Sequence, residues 1–243
     1  MSQAIDFTEA AYRELVQAAK ARYAFLSFGD AATAEAGVLW RHDIDVSVHR
    51  ALALAVIEYE EGVRATYFVY LHSRFYSALE DVIIERLRAI VALGHEVGLH
   101  FDPHFTPAMG PSPDAAITAE AAIVERVCGA PVRALSFHDP GAHGAAVNDA
   151  DRVAGLLNTY GRPMQERFGY GSDSNGYWRH TPLLDEINSG RHPRLQVLTH
   201  PEWWVPEPMS PRARIARAIE GRAAYQAAKY DAALAAVGRE NLR

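Results

Sequence analysis

Two rhythms of apolar residues alternate along this chain. The first is helical. From Phe7 to Arg22, Ala11, Leu15 and Ala18 recur at three- and four-residue spacing behind Thr8, a candidate N-cap. The same spacing runs from Ser47 through Ala51, Leu54, Ala55 and Ile57 to Gly62. It returns from Asp81 to Leu93, with Ile84, Leu87 and Val91 on one face, and from Ser112-Pro113 to Cys128. Serine caps and closing glycines at Gly62, Gly94 and Gly129 bracket these segments as helix ends require. The second rhythm is short runs of apolar, aromatic and β-branched residues: Tyr23–Phe28, Val38–His42, Ala65–Leu71, His95–Phe101 and Val132–Phe137. Farther on the pattern is less regular. Phe168–Ser172 and Leu195–Leu198 read as strands, and Pro182–Asn188 as a short helix. Ser210-Pro211 opens a last helix to about Val237, with Ile215, Ile219 and Tyr225 among its apolar positions. Strand alternating with helix predicts βαβ units and a parallel sheet, as a β/α barrel or an open doubly wound sheet.

Composition narrows the class. The chain has 243 residues, 49% of them hydrophobic, which is enough for a sizeable core. No Pro/Gly/Ser-rich linker or shift in composition divides it, so 1–243 is expected to be one domain. A formal net charge of −6, with basic residues scattered, argues against nucleic acid as a partner. The single cysteine, Cys128, leaves no intrachain disulfide and no cysteine-based zinc site. Met1–Asp6 lacks the basic and apolar regions of a secretory signal, and no apolar stretch reaches the roughly 18–20 residues of a membrane span. The expectation is a soluble, cytoplasmic protein. Gly-x-Gly-x-x-Gly and a Walker lysine loop are both absent, which argues against a dinucleotide or nucleoside triphosphate fold.

The candidate chemistry begins at Leu39-Trp40-Arg41-His42-Asp43-Ile44-Asp45. In an extended chain the two acids share one face, about 7 Å apart. They repel each other unless a cation or a shared proton intervenes. The chain holds 11 histidines, and His42, His100, His104, His138 and His200 fall at or just after predicted strand ends. In parallel β/α architectures those ends gather on one face and carry the site. In His100-Phe101-Asp102-Pro103-His104, the proline keeps Asp102 out of helical geometry. A loop bending back there can aim both imidazoles at one ion. One Asp and two His make a metal site with positions open to water and substrate. A bound divalent ion lowers the pKa of its water to about 7 in the best zinc sites, and a neighbouring carboxylate can take the proton. His95-Glu96 followed by His100 has the wrong spacing for a His-Glu-x-x-His protease. His95 is expected to be structural, and His49, His72, His143, His180 and His192 to lie on loops or the surface. Trp203-Trp204 reads either as packing or as a platform for a sugar.

These residues resemble the polysaccharide deacetylase family (carbohydrate esterase family four), over about Val38 to Trp204. Gly94-His95-Glu96-Val97-Gly98-Leu99-His100 followed by His104 is similar to the family's Gly-His-Glu-Ile-Gly stretch and His-x-x-x-His. Ala65-Thr66-Tyr67-Phe68 resembles its Ala-Thr-Phe-Phe strand. The resemblance implies a distorted (β/α) barrel with about seven parallel strands and a metal-activated water that removes acetyl from N-acetylated sugars. It implies Asp43 as base, Asp45, His100 and His104 as ligands of a divalent ion, zinc foremost, and His200 as general acid. Ser172, Asp173, Trp178, Arg179 and Trp203, with Arg41 and His138, are implied as substrate contacts. The sequence departs from the family pattern in three places. Ile44 separates acids that are usually adjacent. Phe101 stands where Ser or Thr usually follows the first metal histidine. Ser136-Phe137-His138-Asp139-Pro140 replaces an Arg-x-Pro segment, so Arg41 or His138 is left to stand in for the arginine that orients the base. Asp102 and His138 are alternatives to His104 as third ligand.

The implied function is metal-dependent removal of an N-linked acyl group from an intracellular amino sugar or glycan precursor, with no nucleic acid or membrane partner. Two other classes fit parts of the sequence. Asp-x-Asp can hold a metal–nucleotide sugar in a glycosyltransferase. A catalytically degenerate barrel can bind sugar without turning it over.

Overall fold

The computed structural model describes residues 7–142, 149–179 and 181–242. His143 and His180 lie outside them. The caps read from the sequence form as hydrogen bonds. Thr8 Oγ1 accepts from the Ala11 amide at the start of α1 (Glu9–Lys20), and Ser47 Oγ from Arg50 before α2 (Val48–Glu60). Ser112 caps α5 (Pro113–Cys128), and Ser210 caps α8 (Pro211–Ala236). Between these lie α3 (Asp81–Ala92), α4 (Thr106–Met109), α6 (Arg162–Arg167) and α7 (Leu183–Ser189).

The strands are β1 (Phe25–Leu26), β2 (Gly37–Ile44), β3 (Thr66–Tyr70), β4 (Glu96–Phe101), β5 (Ala134–Phe137), β6 (Arg152–Val153), β7 (Leu156–Asn158), β8 (Gly169–Ser172) and β9 (Arg194–Thr199). They form one sheet in the order β6-β7-β5-β4-β3-β2-β9-β8, with β1 beside the first half of β2. Seven consecutive strands of that order, β7 through β8, pair in parallel, and only β6–β7 is antiparallel. The sheet curls through 209° into a half-barrel flanked by helices, which is the distorted β/α barrel expected. Sequence patterning found neither β6 nor β7, because two- and three-residue strands carry no period.

The curl divides every strand into an outer face under the helices and an inner face toward the barrel axis. Trp40, Ile44, Val97, Leu99, Leu135 and Val197 belong to the main core. A smaller cluster, including Leu39, Phe68, Ala134 and Phe168, fills the inside. Side chains alternate, so the inner positions follow at steps of two. They run Leu39-Arg41-Asp43-Asp45, Phe68-Tyr70, Gly98-His100, Ala134-Ser136-His138 and Gln196-Leu198-His200. Each series ends on a polar residue, and all but the one that begins at Gln196 start on an apolar or small one. A Cβ at Gly98 would stand 2.4 Å from the Phe68 ring, so glycine there lets the inner aromatic pack against β4.

The last helix has the extent expected of it but not the burial. Ile219 and Tyr225 are exposed, and Arg214 is its one buried residue. No helix among the described residues is long and apolar enough to cross a membrane.

Candidate metal centre

Three side chains converge where inner faces end. His100 Nε2 lies 3.0 Å from Asp45 Oδ1 and 3.3 Å from His138 Nδ1, and His138 Nδ1 lies 3.9 Å from that same carboxylate oxygen. Ligands of a tetrahedral zinc at its usual bond lengths stand roughly 3.3 Å apart. The tautomer of His100 supports the same reading. Its Nδ1–H donates to the Ser136 carbonyl at 3.0 Å, which leaves the Nε2 lone pair facing the other two groups. Asp45 Oδ1 is buried and makes no hydrogen bond. Three electron-rich atoms pointed at one another call for a cation, and these residues can hold a divalent ion. Burial pushes the Asp45 carboxyl up, but the imidazoles of His100, His200 and His138 outweigh it and hold the group well below the usual carboxylate range. Its side chain keeps 25% exposure and that of His138 34%, so solvent reaches the cluster.

His104, expected as third ligand, is not among the three residues whose ligand atoms converge. The physical reason is the turn at Pro103–Phe105. Asp102 caps it by accepting from the His104 amide, and the His104 ring meets the edge of Phe105. Asp102 is no substitute ligand either, since its other oxygen accepts from Tyr70 Oη at 2.7 Å. His138 takes the third place because it continues the inner series of β5. Its ring stacks on Tyr70, with centroids 4.7 Å apart.

Asp43 Oδ2 stands 3.7 Å from His100 Nδ1, the nitrogen turned away from the other two groups, and has partners of its own. Ser136 Oγ donates to its Oδ2 at 2.8 Å, and Arg41 Nη1 lies 3.6 Å from its Oδ1. Ser136 belongs to β5, three strands away from β2, so only a curled sheet brings them together. Arg41 is wholly buried. Its guanidinium donates to Thr159 Oγ1 and lies over the Tyr160 ring. It therefore has no surface for a substrate and instead supplies positive charge beside Asp43.

His200 approaches from β9. Its Nε2 is 4.0 Å from Asp45 Oδ2, while Nδ1–H donates to Asp173 Oδ1 at 2.6 Å. Asp173 also accepts from the His200 amide and from Trp204 Nε1. Burial disfavours a charged His200, but the Asp173 and Asp45 carboxylates outweigh it and raise its pKa well above the ordinary histidine value. Asp173 is itself fully buried, so it orients His200 and does not touch a ligand. That role has no motif in the sequence.

The remaining expected contacts have partners of their own. Ser172 Oγ accepts from the Ser174 amide, Trp203 Nε1 donates to the Ser174 carbonyl, and Trp178 stacks on Phe7. Arg179 donates to Tyr177 Oη on the surface. Among the described residues none of these four hydrogen bonds to the cluster. Trp204 is buried packing. Asp139 and Ser174, which follow His138 and Asp173, both adopt positive φ without being glycine, at 45° and 46°. Such backbone is costly, and it re-aims the chain immediately after each site residue. His95 is structural, as expected: its Nδ1 accepts from the Ala65 amide and its Nε2 donates to the Ala55 carbonyl.

Neither a family model nor a curated protein matches this chain. Among solved structures it is similar to the catalytic domain of a peptidoglycan N-acetylglucosamine deacetylase from Eubacterium rectale (19% identity over 79% of this chain and 90% of that one, TM-score 0.43). A family 4 acetyl xylan esterase from Clostridium thermocellum, in complex with a cobalt ion, is similar at 18% identity over 76% and 84%, with TM-score 0.39. A mutant of BA3943, a CE4 family pseudoenzyme from Bacillus anthracis, is similar at 16% identity and TM-score 0.41. That alignment covers 78% of this chain and 63% of the pseudoenzyme's length.

Proposed function

We propose that this chain is a metal-dependent hydrolase and a divergent polysaccharide deacetylase, removing an N-linked acyl group, acetyl foremost, from an amino sugar or glycan precursor. The observation that carries the reading is the division of labour at the centre. Asp45, His100 and His138 present lone pairs to one point, while Asp43 stands 3.7 Å from the Nδ1 side of His100 and His200 Nε2 stands 4.0 Å from the second oxygen of Asp45, each held by partners of its own. When bound, the divalent ion supplies an acidified water and polarises the acyl carbonyl. Two imidazoles and a carboxylate suit zinc among several first-row metals.

The chain's own groups do the rest. Asp43 accepts the proton of the attacking water, and Ser136 and Arg41 fix the direction of its carboxylate. His200, held protonated by Asp173, gives a proton to the departing amine. The sugar lies across the open side of the cluster, where Asp45 and His138 remain accessible. Asp43 is held by Ser136 and Arg41 on the Nδ1 side of His100, whereas Asp45 meets its Nε2, which sets this reading above a glycosyltransferase in which both acids bind one metal.

The test is acetate release from N-acetylglucosamine oligomers by zinc-loaded protein. Turnover is expected, with Asp43→Asn slowing it by about 10²–10⁴-fold, the usual contribution of a general base. Full turnover in Asp43→Asn removes Asp43 from the mechanism. Calorimetric binding of UDP, with no acetate released, overturns the hydrolase reading in favour of a glycosyltransferase.

A further inference from the structure

The three ligand residues of the metal centre come from β2, β4 and β5 or the residue just after them, while β3, which lies between β2 and β4, contributes none. What β3 brings to the same place is Tyr70, its last residue and buried. The Tyr70 ring lies against two of the ligands at once. It stacks on His138, with centroids 4.7 Å apart and planes 23° from parallel. It meets the His100 ring edge-on, at 5.4 Å and 74°. The two imidazoles are held differently. His100 has an outer partner, since its Nδ1–H donates to the Ser136 carbonyl. Metal-bound histidines almost always have one, because it fixes the tautomer and the orientation of the ring. His138 turns Nδ1 toward the cluster, which leaves the proton on Nε2, and among the described residues nothing accepts that proton. The torsion that turns an imidazole about its own bond is broad and sets no orientation by itself. His138 is also partly exposed, so close packing does not surround it. Its stack on Tyr70 is then the contact that sets the plane of the ring.

Tyr70 is anchored firmly enough for that task. Its Oη donates to Asp102 Oδ2 at 2.7 Å, and its amide donates to Tyr76 Oη at 3.1 Å. Tyr76 Oη in turn donates to the Ile44 carbonyl at 2.8 Å, and Ser73 Oγ to the Asp45 carbonyl at 2.7 Å. The segment from Tyr70 to Tyr76 therefore touches both imidazole ligands and the backbone that carries the carboxylate ligand.

We propose that Tyr70 is a positioning residue of the metal centre: its ring does for His138 what an outer hydrogen bond does for His100, and holds Nδ1 facing Asp45 and His100. The proposal rests on the metal-dependent reading above.

The zinc dissociation constant of the full chain, measured by competition with a chromophoric chelator, tests it without any substrate. Tyr70→Leu removes the ring and should weaken zinc binding about 10–100-fold, the usual cost of losing an outer partner of a ligand. Tyr70→Phe keeps the ring without its hydroxyl and should recover most of that loss. Val69→Ala, in the main core on the opposite face of β3, should lower the urea midpoint yet leave zinc affinity at the wild-type value. If far-UV circular dichroism finds Tyr70→Leu misfolded, Tyr70→Met, whose unbranched chain adapts to the space, makes the same comparison. Wild-type affinity in the variant without the ring overturns the proposal. An equal loss in Val69→Ala marks a general loosening of the fold and overturns it too. An equal loss in Tyr70→Phe shifts the effect to the hydroxyl and does the same. These outcomes leave the metal reading standing, whereas a wild type that binds no zinc removes both.

Discussion

A carboxylate as buried as Asp43 needs its charge met at close range. Ser136 meets one of its oxygens, and the other stands 3.6 Å from the Arg41 guanidinium with no hydrogen bond of its own. That is the disposition of a base waiting for a proton donor. His200 shows the reverse: a ring whose inner nitrogen is tied to Asp173 and whose outer nitrogen is left to act. Its folded pKa is raised, so the pair contributes stability below the unfolded histidine value of about 6.5 and loses it as pH rises through the raised value. Removing the partner's charge should pull that limit down. In Asp173→Asn, the alkaline limb of kcat/KM is expected to move to lower pH, which a pH–rate profile measures. An alkaline limb that stays in place contradicts the role given to Asp173. Much of this was legible in single residues: Asp43, Asp45, His100 and His200 were all marked by their place at strand ends. Asp173 was seen only as a groove residue, because its function rests on burial beside a partner 27 positions away.

At the scale of elements, β2 is a strand with two working faces. Its inner side carries Arg41, Asp43 and Asp45. Its outer side carries His42, whose Nε2–H donates to Glu58 on α2 at 2.7 Å and whose Nδ1 accepts from Thr199 on β9 at 2.7 Å. Tyr12 from α1 and Tyr67 from β3 also donate to Glu58. One buried carboxylate therefore ties four elements together behind the acidic pair. Glu58→Ala strips that acceptor and leaves a histidine and two tyrosines unsatisfied, and should cost about 3–5 kcal/mol in urea denaturation. A loss below about 1 kcal/mol would show that the network is not what holds β2 in place. Gly98→Ala should cost about 1–3 kcal/mol by pushing a methyl into Phe68. The same period-two reading accounts for His138 beside Asp45 and His100. Residues 134, 136 and 138 form one inner series, and that alternation was present in the sequence. The His-x-x-x-His spacing was also present, but spacing says nothing of the turn at Pro103 that carries His104 away. Short strands such as β6 and β7 were invisible because helix and strand periods need more residues than they contain.

For the molecule as a whole, the parallel sheet sets where chemistry can sit. Its half-barrel curl brings β2, β4, β5 and β9 close enough for one ion to touch three of their inner series and for His200 to stand beside it. The architecture followed from alternating strands and helices, whereas the closeness of β2 to β5 depended on the degree of curl, which no local pattern encodes. An ion that binds the folded centre and not the unfolded chain stabilises the fold by mass action. Zinc should therefore raise the thermal unfolding midpoint of the wild-type protein and leave that of Asp45→Ala unmoved. The most direct test of the account is the metal content of zinc-loaded, desalted protein, measured by mass spectrometry for wild type, His138→Ala and His104→Ala. The account predicts roughly one zinc per chain in the wild type and in His104→Ala, and loss of the ion in His138→Ala. Zinc retained by His138→Ala and lost from His104→Ala would contradict it.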